Sequence, residues 1–123
     1  MCIRDRIHDT IVKLREALPG VPIVLISPPD SVKMGEGKSD PRILGVVRQL
    51  REVAEEDGVA FWDFRAAMGG DASYLDFMKR GLAANDRAHL SKTGNEVMGQ
   101  RLLSALFDGV ATRLRTKTDA GCL

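Results

Sequence analysis

Residues 21–27 read Val21-Pro22-Ile23-Val24-Leu25-Ile26-Ser27. From Val21 to Ile26 the run is almost wholly apolar and rich in β-branched side chains. Residues of both alternating faces are therefore apolar, as in a strand buried on both sides of a parallel sheet. Pro28-Pro29-Asp30 cannot continue a ladder and ends it.

The flanks fit crossover helices. Upstream, Ile7, Ile11, Leu14 and Leu18 line one helical face, and Pro19-Gly20 stops that helix. Downstream, residues 30–40 form a polar, glycine-containing loop. Asp40-Pro41 then reads as an N-cap with proline at the first helical position. Ile43, Val46, Val47, Leu50, Val53 and Ala54 share the next apolar face, which ends at Asp57-Gly58. A second strand, Val59 to Phe64, follows. Helix, strand, helix, strand is the rhythm of an α/β sheet.

Beyond that strand the pattern breaks. Residues 65–86 read as a long loop with a short helix near Tyr74 to Lys79, and a loop of that length in a compact domain is often functional. It follows the C-terminal end of a strand, where open α/β sheets place their sites. The last helix is expected from about Lys92 to Arg115. Ser91 is its N-cap, with Thr93 competing because Thr93-x-x-Glu96 fits a capping box. Met98, Leu102, Leu106 and Val110 form its stripe, and residues 116–123 read as a disordered tail.

The chain has 123 residues, 44% hydrophobic and 28% charged, with net charge +1. That suits one globular domain, with no basic field for nucleic acid. No apolar run approaches the roughly 18 residues of a membrane span. Cys2 and Cys122 stand at opposite ends and read as two unrelated thiols. The opening residues 1–6 read as a leader foreign to the domain, resembling a translated library adapter; the alternative is an ordinary polar helix start. No signal peptide is legible there.

Asp86 and His89 stand three residues apart in a polar turn ahead of the last helix. A carboxylate on one ring nitrogen of a histidine fixes the tautomer that makes the other a general base. An exposed Asp–His pair with no such role is the alternative. Other residues have two readings each. Ser27 and Ser73 are either nucleophiles or turn and cap residues. Asp63 is either a structural or a catalytic carboxylate, and Trp62 either core or a sugar platform. Met68, Gly69 and Gly70 shape a loop beside a substrate site, or a simple turn. His8 reads as a solvated residue, and nothing pairs it with His89 for a metal.

Asp86-Arg87-Ala88-His89-Leu90-Ser91, then Gly94, then an apolar helix, resembles the last motif block of the SGNH, or GDSL, hydrolases: Asp-x-x-His-Leu/Phe-Ser/Thr-x-x-Gly. The run Ala60-Phe61-Trp62-Asp63-Phe64 through Met68-Gly69-Gly70, Ser73 and Gly81-Leu82 to Asp86 is similar to the bacterial O-acetyl-peptidoglycan esterases of that superfamily. Leu25 to Asp30 resembles the strand end that precedes it. The resemblance spans roughly Ile7 to Gly109. It implies the later strands and helices of a flavodoxin-like, three-layer α/β fold. It also implies a serine esterase acting on O-acetyl groups of carbohydrate, with Asp86 as orienting acid and His89 as general base.

Such an enzyme needs no metal or organic cofactor, and its relatives imply a periplasmic or envelope setting. The superfamily's Gly-Asp-Ser nucleophile block and Gly-x-Asn-Asp oxyanion block are not in the sequence. Gly70-Asp71-Ala72-Ser73 carries an inserted residue in the wrong place, and Gly94-Asn95 lies inside the last block. The expectation is thus the C-terminal part of one domain, over residues 7–115, inactive alone and partnered by its own N-terminal half. A non-catalytic hydrolase-like binding or assembly module is the alternative. An α/β-hydrolase fragment fits less well, because that family usually puts acid and base on separate loops.

Overall fold

A computed structural model of the chain describes residues 2–33 and 35–120, with side chains described through Gly109. In order, its elements are α1 (Ile3–Ala17), β1 (Val24–Ile26), α2 (Pro41–Asp57), β2 (Ala60–Trp62), α3 (Phe64–Met68), α4 (Ser73–Lys79) and α5 (Lys92–Ala120). The architecture is α/β: β1 and β2 pair in parallel, with Val24, Leu25 and Ile26 opposite Ala60, Phe61 and Trp62.

Helix α2 is the crossover, and local chemistry sets both its ends. The Asp40 carboxylate accepts from the Arg42 backbone N–H at 2.9 Å, satisfying an otherwise orphaned donor, and Pro41 occupies the first turn. The Arg42 guanidinium also lies on Asp40 at 2.6 Å, and with the backbone bond it lowers the carboxyl pKa to about 2. At the other end Gly58 takes the left-handed conformation (φ 64°) that side chains resist. Val47, Leu50, Val53 and Ala54 are buried as the periodicity expects. Helix α1 packs against α2, and α2 against both strands.

The strands are shorter than the apolar runs. Val21 still belongs to the turn after α1, its N–H donating to Leu18 O, and Pro22 has no N–H for a ladder. Pairing begins with Ala60 N–H on Ile23 O, 3.1 Å. The second strand stops at Trp62 because the Asp63 side chain accepts from Ala66 N–H at 2.8 Å and caps α3. Helix α3 therefore occupies part of the expected loop. The expectation of burial on both faces is also corrected: Val24 and Ile26, on one face of β1, are 39% and 45% exposed. A strand's two faces need two covering layers, and that face has none among the described residues.

A second centre lies between α3, α4 and α5, where Val32, Met68, Tyr74, Phe77, Leu82 and Met98 are buried together. Trp62 packs against this cluster and meets Phe64 edge-on at 5.3 Å, which is the core reading of that residue. Helix α5 outruns the body it packs on. Met98 is 2% exposed, but Leu106 and Phe107 are 48% and 64% exposed. Val110 lies outside the described side chains. The helix continues to Ala120 rather than ending near Arg115. Once nucleated, a helix extends at little cost per residue, and no glycine or proline intervenes between Val110 and Ala120.

Residues 3–6 of the expected leader form the first turn of α1, and Arg4 pairs with Glu56 of α2. Cys2 is a free, exposed thiol; Cys122 lies outside the described residues. Among the described residues no helix is long and apolar enough to cross a membrane.

Candidate active site

The segment between α4 and α5 doubles back on itself. Ala83 and Leu90 form an antiparallel bridge, Ala84 N–H donates to His89 O at 2.9 Å, and Ser91 N–H donates to Leu82 O at 2.9 Å. The tip of this hairpin carries Asp86 and His89. Arg87, between them, is left-handed (φ 66°), which closes the turn tightly.

The tip is built around one carboxylate. Asp86 Oδ1 accepts the backbone N–H of Ala88 and of His89, both at 3.0 Å. Its Oδ2 lies 2.6 Å from His89 Nδ1. The two backbone donors first, and then the His89 ring, hold the Asp86 carboxyl well below the usual carboxylate range. An ionised carboxylate only accepts, so Nδ1 carries the shared proton. Nε2 makes no hydrogen bond among the described residues, and the His89 side chain is 80% exposed.

The foot of the hairpin is seated on α5. Ser91 caps that helix, accepting from Gly94 N–H at 3.1 Å and donating to Gly81 O at 2.8 Å. Gly94 has no room for a side chain: a Cβ there would lie 1.8 Å from Leu82 O. The motif's serine and glycine thus have distinct work, one tying the hairpin to the helix and the other letting the two backbones touch.

Two further segments hold the hairpin. Ser31, just beyond β1, donates from Oγ to Arg87 O at 3.1 Å, which places the tip at the carboxyl ends of the strands. Tyr74 of α4 is completely buried, with its hydroxyl 3.0 Å from both Ala84 O and His89 O. Neither stood out in the sequence, because their partners lie ten to 56 residues away.

The other singled-out residues are elsewhere. Ser27 is buried at the end of β1, 3.3 Å from Pro28 O and accepting from Arg65 N–H at 3.4 Å. Asp63 caps α3 and binds the Arg51 guanidinium at 2.7 Å. Ser73 is buried at the start of α4, and its hydroxyl has no partner among the described residues. Gly69 and Gly70, both with positive φ, close α3. No described hydrogen bond joins them to the Asp86–His89 tip; Met68 shares the core cluster with Tyr74, and its sulfur accepts the Asp30 backbone N–H at 3.4 Å. His8 bonds Asp57 at 2.8 Å on the far helices. Among the described residues no three His, Cys, Asp or Glu side chains are grouped to hold a metal ion.

No family model and no curated protein matches the chain. Solved structures do. A peptidoglycan O-acetylesterase superposes with a TM-score of 0.83 at 29% identity, over 89% of this chain and 32% of its own. The esterase domain of the ZfL2-1 ORF1 protein, from the zebrafish ZfL2-1 retrotransposon, superposes with a TM-score of 0.64 at 16% identity, over 86% of this chain and 58% of its own. The chain therefore spans about a third of the first structure and under two thirds of the second. With the α/β topology and these two likenesses, the chain carries an SGNH-type, esterase-like hydrolase fold.

Proposed function

We propose that this chain supplies the acid and base of a serine esterase whose nucleophile and oxyanion donors come from a segment outside residues 1–123. The observation that carries the reading is the 2.6 Å contact of His89 Nδ1 with an Asp86 carboxylate already fixed by two backbone N–H groups. That arrangement leaves His89 Nε2 as the lone pair facing solvent. In the reaction Nε2 takes the proton of the serine hydroxyl as its oxygen attacks the ester carbonyl. The imidazolium then returns that proton to the departing alcohol, and water repeats the sequence to release the acid. Asp86 stays ionised and stabilises the imidazolium.

The substrate class proposed is an O-acetyl group on carbohydrate, with the likeness to a peptidoglycan O-acetylesterase as its support. The loop of Met68, Gly69 and Gly70 is proposed to border that substrate. The uncovered face of β1 supports a missing layer of the same domain.

The test joins this chain to the protein segment encoded upstream of Ile7 and measures hydrolysis of an aryl acetate and of O-acetylated peptidoglycan. The chain alone should show no turnover that a serine-directed phosphonate abolishes. The completed protein should be active, and Asp86→Asn should lower kcat by about 10³–10⁴. Phosphonate-sensitive turnover by the chain alone would return Ser27 or Ser73 to consideration. A completed protein that is inactive, or indifferent to His89→Ala, would favour a non-catalytic module.

A further inference from the structure

We propose that Tyr74 is a positioning residue for the His89 imidazole: its buried hydroxyl clasps the neck of the Asp86–His89 hairpin and fixes where the ring stands. The proposal rests on the reading of Asp86 and His89 given above. Filling the core needs only the aromatic ring, and phenylalanine would do that at a site with no exposure. The hydroxyl does something else. It lies 3.0 Å from Ala84 O on one strand of the hairpin and 3.0 Å from His89 O on the other, and 3.5 Å from Asp86 Oδ1. A phenol has one proton, shared here between two carbonyls. His89 O has a second donor in Ala84 N–H. Ala84 O has none among the described hydrogen bonds, so the hydroxyl alone satisfies it.

The opposite end of Tyr74 is equally fixed. Its backbone N–H donates at 3.2 Å to Oδ2 of Asp30, a carboxylate with no exposure. Asp30 Oδ1 accepts from Ser39 Oγ at 2.6 Å and from Arg65 Nε at 3.1 Å. Asp30 follows β1 and Arg65 follows β2, so Tyr74 is a strut from the strand ends to the main chain of His89. From that main chain only two side-chain torsions lead to the ring, and Asp86 sets the second. Burial first, and then the Asp86 charge, push the phenol pKa up, which keeps it a donor.

The test reads the ring rather than activity. With histidine-selective ¹⁵N labelling, at a pH well above the ordinary imidazole value of about 6.5, wild-type His89 should hold the Nδ1–H tautomer. Tyr74→Phe should convert it to a mixture of tautomers while His8 is unchanged. Phe77→Leu, at another unexposed position of the same cluster, loosens the core but removes no side-chain hydrogen bond to the hairpin, and should leave the His89 tautomer as in wild type. An unchanged tautomer in Tyr74→Phe, or the same mixture in Phe77→Leu, overturns the proposal. If Tyr74→Phe does not fold, the single tyrosine of the chain allows 3-fluorotyrosine to report instead. Its ¹⁹F resonance should move on Asp86→Asn, and a fixed resonance also overturns the proposal. In the completed esterase, Tyr74→Phe should lower kcat about ten- to a hundredfold with KM unchanged. Inactivity of that protein with the wild-type hairpin would instead reject the esterase reading and leave the tautomer result standing by itself.

Discussion

Replacing Gly94 by alanine tests how the hairpin is seated. The added Cβ would lie 1.8 Å from Leu82 O and 2.8 Å from Leu82 C, about 1.6 Å short of the 3.4 Å at which ordinary contact begins. Both obstructing atoms are backbone, so no rotamer relieves the clash. The start of α5 and the Leu82 strand must move apart. That separation breaks Ser91 N–H to Leu82 O and Ser91 Oγ to Gly81 O, at 2.9 and 2.8 Å. Each bond contributes about 0.5–1.5 kcal/mol, and the forced displacement costs about 1–3 kcal/mol. Alanine's better helix propensity offsets at most about 1 kcal/mol. The net expectation is a loss of about 2–4 kcal/mol, a large share of the about 5–15 kcal/mol of a typical domain. Gly99 of the same helix is the control, because nothing lies within 4 Å of its Cβ position. There alanine should stabilise by about 0.5–1 kcal/mol. Urea unfolding followed by fluorescence of Trp62, the single tryptophan, reads both. Gly94→Ala as stable as Gly99→Ala would refute the close approach and the anchoring role built on it.

The Asp86 carboxyl is held below its unfolded value of about 3.9, so the ionised hairpin stabilises the fold above that pH and the contribution is lost as pH falls towards the folded pKa. The stability difference between wild type and Asp86→Asn should change in favour of the variant as pH falls below about 4; a difference that does not change between about pH 4 and the acid transition would contradict the two backbone bonds. The bare face and edge of β1 should make the chain self-associate, with sedimentation that depends on concentration, and Ile26→Lys should suppress this without loss of secondary structure. A monodisperse wild-type chain whose unfolding is unchanged by adding the upstream segment would mean that nothing is missing from the sheet.

What the sequence determined by itself was local. The span and caps of α2 follow from Asp40-Pro41, Gly58 and a 3.6-residue apolar period, all within one helix. The parallel α/β order follows from two apolar runs separated by that helix. Asp86 and His89 meet because three residues of polar turn carry their own backbone donors. The tertiary structure decided what depends on distant partners. It shortened both strands, since Pro22 and the Asp63 cap outweigh hydrophobicity at their ends, and it made a helix of residues 64–68. It left Val24 and Ile26 uncovered, because burial belongs to the neighbours and not to the strand. Gly94 is required only because Leu82 O comes to rest against it. Tyr74, Asp30 and Ser31 bear on the site through hydrogen bonds that span ten to 56 residues. Such bonds carry no period and no spacing, so no pattern along the chain announces them until the chain has folded.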